Sequence, residues 1–346
     1  MLYSLVKPLL FKIDPEKIHE TIIHVAHLAP KLGKLTGSKP NERLVTHIGK
    51  NQWHGPIGLA AGLDKNAEAL DFFSQQGFGA LECGTITLLP QLGNPRPRIF
   101  RYVSEASLRN SMGFPNHGLL SISPRLNQPK EIPIGANIGK NKDSTPDESL
   151  DELGTIVATL SDSVDYFVIN VSSPNTPGLR ALQERGYLTE LFIELKKLTQ
   201  KDLYIKISPD LSHEKISEIA NLTHELKLTG LIATNTTIMP NRGVGGISGK
   251  LLTNKSKEVH ESILSLNLPI EVICVGGISS FEDIKNIWRM GGKAVQVYSA
   301  FVFEGPKLIK KMNQEAVDFL DHHQLPDLNQ FFSMPLSERI KLIDQP

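Results

Sequence analysis

The sequence predicts an α/β protein, a (β/α)8 TIM barrel with a small N-terminal helical extension. Three observations lead there. Past residue 50 the chain repeats a short run rich in Val, Ile, Leu and Ala eight times. Each run leaves through a glycine-rich or polar exit, and helical patterns follow most of them. Apolar strands alternating with helices imply a parallel sheet covered on its outer faces, and eight of them suggest closure into a barrel. An open doubly wound sheet would instead place a GxGxxG turn after its first strand. The stretch Gly58 to Lys65, GLAAGLDK, does not supply one.

The elements follow in order. Residues 1 to 50 carry eight Lys or Arg against four Asp or Glu, over two apolar-periodic stretches, Leu2 to Phe11 and Pro15 to Leu28. Asp14-Pro15 is a helix start, with an acid at the N-cap and proline at the first helical position. Basic amphipathic helices suit a membrane surface, and a helical hairpin covering the barrel accounts for the same pattern. We expect the extension over residues 1–45 and the barrel over 46–346. His19, Glu20, His24 and His27 do not make a zinc motif. Their spacing is HExxxH, and residues five apart on a helix point about 140° apart.

The predicted strands centre on Ile57 to Ala60, Gly79 to Glu82, Ile134 to Ile138, Tyr166 to Val171, Leu203 to Ile207, Gly230 to Thr234, Glu271 to Val275 and Ala294 to Val297. Helices are expected over Asp147 to Leu160, Leu188 to Leu198, Ser212 to Leu226 and Phe281 to Met290, with Ser212 and Thr253 as start signals. The tail beyond about residue 320 matches no motif and reads as a packing helix, a partner contact or an addition.

Composition narrows the function. Lys plus Arg equals Asp plus Glu, 37 each, so no global field recruits nucleic acid. Cys83 and Cys274 are too few for a disulfide framework, a cysteine-ligated zinc site or an iron–sulfur cluster within the chain, which favours a reducing compartment. No apolar run approaches the roughly 18 to 20 residues of a spanning helix. The start MLYSLVKPLLFKIDPEK has no small-residue cleavage site. The protein is expected to be neither secreted nor integral.

A barrel gathers its active site at the carboxyl ends of its strands. Those exits read AAGLDKN, ECGTIT, ANIGKNK, INVSSPNTPGLR, IKISPD, ATNTT, VGGIS and VYSA. Each alone has a bland reading, since Asn and Ser favour turns and caps and glycine relieves backbone strain. Eight together, converging on one mouth, ask for a ligand. Lys206 interrupts an apolar strand, where an unpaired ammonium is costly to bury, so it needs an anion or an electron-rich partner. Gly276-Gly277 and Tyr298-Ser299 follow strands seven and eight, where barrels commonly hold a phosphate. A phosphate-bearing cofactor is the economical inference. No histidine lies in these motifs, so hydrolysis by a Ser-His-Asp arrangement and metal-assisted chemistry have little support.

These motifs, together with RNSMGFPN at Arg109 to Asn116 and GGISG at residues 245–249, run in order from about residue 11 to residue 306. They resemble the consecutive motifs of dihydroorotate dehydrogenase, in its class 2, bacterial-type, quinone-reducing and membrane-associated form. The resemblance implies an FMN-binding barrel that oxidises (S)-dihydroorotate to orotate in de novo pyrimidine (UMP) biosynthesis. Carried over by position, it implies FMN held around Ala61, Thr85, Asn137, Asn170, Lys206, Thr234, Gly249, Gly277, Tyr298 and Ser299. Lys206 would sit beside the flavin ring, where a cation stabilises negative charge on reduction. Dihydroorotate would be held by Lys65, Asn110, Ser111, Met112, Gly113, Phe114, Asn170, Asn175, Asn235 and Thr236. Ser173 falls where class 2 enzymes carry the catalytic serine base and the soluble class 1 enzymes carry cysteine. A serine must be activated by its surroundings to act as a base, and water with Thr176, nearby in sequence, is one candidate relay that the sequence alone does not show.

His19 and Arg101 match positions that contact the quinone, ubiquinone or menaquinone. A diffusible oxidant of that kind is needed, because the chain has neither iron–sulfur cysteines nor a recognisable nicotinamide-binding turn. The resemblance also implies a monomer, peripheral on the cytoplasmic face of the bacterial cell membrane, with no metal. Pro115 departs from the asparagine often found beside the substrate stretch.

Two other classes fit the same barrel. A Schiff-base aldolase would use Lys206 as nucleophile, but leaves the asparagine-rich mouth unexplained. A silent membrane-bound binding protein would have no need of Ser173 together with Lys65 and Lys206. The absorbance spectrum of the purified protein separates the three. Flavin bands near one per chain are expected, and a colourless protein that FMN does not reconstitute excludes the flavin dehydrogenase.

Overall fold

In the computed structural model, which describes residues 2–38, 41–172, 175 and 182–345, the eight runs close into one parallel barrel. Its strands are β1 (Ile57–Leu59), β2 (Ala80–Ile86), β3 (Ile134–Ile138), β4 (Tyr166–Asn170), β5 (Asp202–Ile207), β6 (Gly230–Ala233), β7 (Glu271–Val275) and β8 (Ala294–Val297). Closure comes from β8 pairing with β1 through Val295 opposite Ile57 and Val297 opposite Leu59.

Three of the covering helices start where polar caps sit. Thr145 and Glu148 form a capping box ahead of Pro146–Leu160, Ser280 and Asp283 form one ahead of Phe281–Arg289, and Ser212 accepts from the Lys215 amide. Thr253 behaves differently from the start signal expected. It is already the first residue of the helix Thr253–Leu264, and Leu252 takes the cap position without a side-chain bond. The reason is local: the 3-10 turn Lys250–Leu252 runs straight into the helix, so no extended residue is left to cap it. The Thr253 hydroxyl donates instead to the Gly277 carbonyl at 3.4 Å.

Inside the barrel the pleat sends alternate residues inward. Tyr166 and Val168 of β4 and Tyr204 of β5 join a buried interior cluster with Trp53 and Ile48. Trp53 belongs to a hairpin, Thr46–Ile48 with Asn51–Trp53, that plugs the amino-terminal end of the barrel. Its ring stacks on Tyr166 at 6.2 Å, and Tyr166 meets Tyr204 edge-on at 5.7 Å. Gly135 on β3 makes room for this floor, since a Cβ there would collide with the Tyr166 ring.

The opposite end is covered by a second sheet. Strands Ile99–Tyr102 and Ser107–Asn110, from the β2 exit, pair antiparallel with each other. Ser107–Asn110 also pairs with Gly246–Gly249 from the β6 exit, and that strand pairs with Thr237–Ile238.

The N-terminal extension forms α1 (Leu2–Leu10) and α2 (Pro15–Leu28), with Asp14 capping α2 by accepting from the Glu16 and Lys17 amides. The buried Glu16 carboxylate receives Arg98 Nη2 at 2.7 Å and Nε at 3.0 Å, which ties α2 to the β2 exit. Phe11, just past α1, packs edge-on against Phe303 at 5.5 Å. Leu5, Leu9, Ile22, Val25 and Leu28 face outward, Leu5 at 75% and Leu28 at 68% exposure. Among the described residues no helix is long and apolar enough to cross a membrane.

The tail resolves as packing helices, Lys307–His322, Leu328–Ser333 and Leu336–Ile343. Phe319, Phe331 and Phe332 gather round Trp288 at 5.3 to 5.8 Å. Arg43 holds the turn after residue 322 by donating to Asp321 and to the Leu325 and Pro326 carbonyls.

Candidate active site

Above the aromatic floor the barrel interior turns polar. Glu82 of β2 is buried at 1% exposure and is the centre of a hydrogen-bonded ring. Its Oε1 accepts from Asn137 Nδ2 at 2.7 Å and from Lys206 Nζ at 3.2 Å, and its Oε2 accepts from Gln296 Nε2 at 2.7 Å. The anion that Lys206 requires is thus a carboxylate of the same chain. Such charge-assisted bonds offset the cost of taking both ions out of water.

The ring extends outward through amides and hydroxyls. Asn137 Oδ1 accepts from Thr85 Oγ1 at 2.6 Å and from Asn170 Nδ2 at 3.0 Å. Asn170 Oδ1 accepts from Ser172 Oγ at 3.1 Å and from Asn235 Nδ2 at 3.3 Å. Residues on or just after β2, β3, β4, β5, β6 and β8 are therefore tied together at one level. Two buried oxygens at this site, Gln296 Oε1 and Thr236 Oγ1, have no hydrogen-bond partner among the described residues. Buried polar atoms are ordinarily satisfied, so both call for a ligand.

A cavity of about 460 Å³ opens on this layer, between the strand exits and the covering sheet. Its volume lies within the roughly 300–1,000 Å³ of small-molecule sites. At the β7 exit, Gly276 (φ 118°) and Gly277 (φ 73°) adopt a backbone that favours glycine, leaving bare main chain on the wall. Ser299 lies on the same wall, its hydroxyl 2.8 Å from that of Ser248. Burial pushes the Tyr298 hydroxyl up to about 12.

Most of the residues singled out in the sequence meet here. Ala61, Thr85, Asn170, Lys206, Thr234, Gly249, Gly277, Tyr298 and Ser299 line the cavity, as do Lys65, Asn110, Met112, Gly113, Phe114, Asn175, Asn235 and Thr236. Asn137 sits one layer beneath, supporting Thr85 and Asn170. Ser111 is off the wall, its carbonyl accepting from Asn94 Nδ2 at 3.0 Å. Asn175 donates to the Asn110 carbonyl at 3.2 Å. Ser173 and Thr176 lie outside the described residues.

The two residues matched to the quinone make different contacts. Arg101 donates to the Phe11 and Ile13 carbonyls at 3.2 and 2.9 Å and lies over the Phe11 ring, and burial lowers its pKa. His19 instead turns Nε2 to Lys65 Nζ at 3.0 Å. It lines a neighbouring cavity of about 780 Å³ between α2 and the β1 and β2 exits. Burial lowers the Lys65 ammonium to about 8, opposed by the charges of Glu16 and Asp64. Burial, then the Lys65 charge, hold His19 well below the ordinary imidazole value.

Sequence reasoning missed Glu82 and Gln296. The signal for Glu82 was present: a carboxylate inside an apolar run raises the same question as Lys206, and each answers the other.

Fold and site together define a barrel enzyme with a polar-floored cavity at its strand exits. The family model for dihydroorotate dehydrogenase matches residues 43–320, and the chain belongs to that family. It is 40% identical over 336 residues to the dihydroorotate dehydrogenase (quinone) of Sulfurimonas denitrificans, covering 92% of this chain and 94% of that one. It is 38% identical to the Helicobacter acinonychis protein of the same name, covering 92% and 95%. An Eimeria tenella dihydroorotate dehydrogenase crystallised with ferulenol superposes with a TM-score of 0.85 at 33% identity, over 96% of each chain.

Removing only the carboxylate should be severe. Glu82→Leu strands the Lys206 charge and is expected to cost about 3–5 kcal/mol in denaturant unfolding, most of it recovered by adding Lys206→Met. Equal losses in the single and double variants would show that the stranded Lys206 charge is not the source of the loss.

Proposed function

We propose that the protein oxidises (S)-dihydroorotate to orotate, with FMN as bound hydride acceptor and a membrane quinone as final oxidant, in pyrimidine (UMP) biosynthesis. The observation that carries this is the buried Lys206, held by Glu82 on the floor of a glycine-walled cavity. The cradle suits FMN in three respects. Bare backbone at Gly276 and Gly277, with Ser299 near, suits a phosphate. Lys206, Asn170, Thr85 and Thr234 offer charge and hydrogen bonds to a flat ring. Gln296 Oε1, without a donor among the described residues, offers an acceptor. Bound there, FMN supplies the hydride acceptor.

The chain's own groups account for the rest. Asn110, Asn175 and Asn235 present amides to a flat, amide-rich substrate, matching it donor for acceptor. The Lys65 ammonium suits the substrate carboxylate. Ser173 is assigned as the base that takes the ring-carbon proton.

Electron exit is assigned to the N-terminal side. The cavity extends to Phe303 and Glu304, and Phe303 packs against Phe11, beneath which Arg101 is fastened. We assign residues 1–45 as an extension that rests on the cytoplasmic face of the membrane through the exposed leucines, isoleucine and valine of α1 and α2, and residues 46–346 as the FMN-binding barrel. Ubiquinone or menaquinone would enter between these helices and the barrel. A monomer suffices for this arrangement.

Two experiments test the reading. Ser173→Ala should keep flavin bound yet slow its bleaching by dihydroorotate about 10²–10⁴-fold in stopped-flow mixing, and near-normal bleaching would exclude Ser173 as the base. The pair Leu5→Glu and Leu28→Glu should release the protein from vesicles and impair quinone turnover, while dihydroorotate still bleaches the flavin at its normal rate. Undiminished vesicle binding and quinone turnover would move the quinone entrance elsewhere.

A further inference from the structure

Helix α2 reaches the barrel through one face. Glu16, His19 and His27 lie within an arc of roughly 80° on the helix, and each contacts an exit loop. Glu16 pairs with Arg98 of the β2 exit, and His27 Nδ1 donates to the Glu68 carbonyl of the β1 exit at 2.9 Å. Between them, His19 Nε2 meets Lys65 Nζ at 3.0 Å. With α2 fixed on either side, the His19 ring is held against the lysine.

The chemistry of that contact is determined. An ammonium has donors only, so Nε2 must carry the lone pair and Nδ1 the proton. The other charged groups near Lys65 are Glu16, Glu20, Asp64 and Arg98. Asp64 is already engaged by the Glu68 and Ala69 amides at 2.8 Å each, Glu16 by Arg98 and Glu20 by Arg96. His19 is therefore the acceptor that orients the ammonium. Lysine carries large rotamer entropy, and a ligand that finds it already ordered binds more tightly.

We propose that His19 is a positioning residue for Lys65, through which helix α2 sets the affinity of the mouth for its anionic ligand. This rests on the reading of Lys65 as a substrate contact.

The test uses the full-length protein and orotate as probe, titrated by calorimetry. His19→Ala should weaken orotate binding about ten-fold. His19→Gln, whose amide oxygen reaches the place of Nε2, should restore most of the affinity, whereas the shorter His19→Asn should not. Thermal unfolding checks each variant, and if the alanine variant does not fold, the contrast between glutamine and asparagine carries the test. Unchanged orotate affinity in both His19→Ala and His19→Asn, or a raised quinone KM with unchanged orotate affinity, overturns the proposal. Lys65→Met separates the two readings. If it weakens orotate binding and the histidine variants do not, only the positioning role falls. If it binds orotate as the parent does, the reading of the mouth falls with it.

Discussion

A carboxylate in the dry centre of a barrel is the constraint on which the site depends. Glu82 has no water to rely on, so the chain must surround it with donors, and Lys206, Asn137 and Gln296 each come from a different strand. Satisfying one buried charge therefore fixes the register of strands distant in sequence. Replacing such a pair with apolar residues is often neutral for stability. Its presence here is better explained by the cavity above it, whose floor stays rigid and polar because Glu82 holds Lys206, Asn137 and Gln296 in place.

The same pleat that builds this floor also seals it from below. Tyr166 and Asn170 are four residues apart on β4, and Tyr204 and Lys206 two apart on β5, so the inward side of one strand runs from aromatic to polar toward its carboxyl end. The aromatic rings and Trp53 close the amino-terminal end against solvent. Lower effective dielectric then strengthens each bond of the Glu82 network.

Much of this was legible in the sequence because barrel strands announce themselves as apolar runs. Ile134 to Ile138, Glu271 to Val275 and Ala294 to Val297 coincide with the observed strands, and the other runs fall within a few residues of theirs. The exit motifs placed most cavity residues, since a strand's carboxyl end fixes where its loop must be. What escaped depended on contacts between distant segments. The tail carried no motif because its reason for folding is Trp288, about forty residues away in sequence. Thr253 looked like a cap because its backbone state is set by the preceding turn, which composition does not reveal. The partner of Lys206 was missed because strand runs were read for hydrophobicity rather than for which alternate residues point inward.

Arg98 explains how the extension and the mouth come to share one support. One side of its guanidinium grips Glu16 of α2, and Nη1 donates to the Leu92 and Asn94 carbonyls at 2.6 and 2.7 Å. Asn94 in turn donates to the Ser111 and Asn175 carbonyls at 3.0 and 3.1 Å. A single buried cation thus connects the N-terminal helix to the stretch Asn110 to Phe114 and to the β4 exit. A displacement of α2 would have to break a buried ion pair or carry this loop with it, and breaking one partner from such a pair is expensive. The β2 exit thus joins the N-terminal helices to the mouth by direct contacts, beside the shorter link from His19 to Lys65 of the β1 exit, and neither link passes through the barrel core.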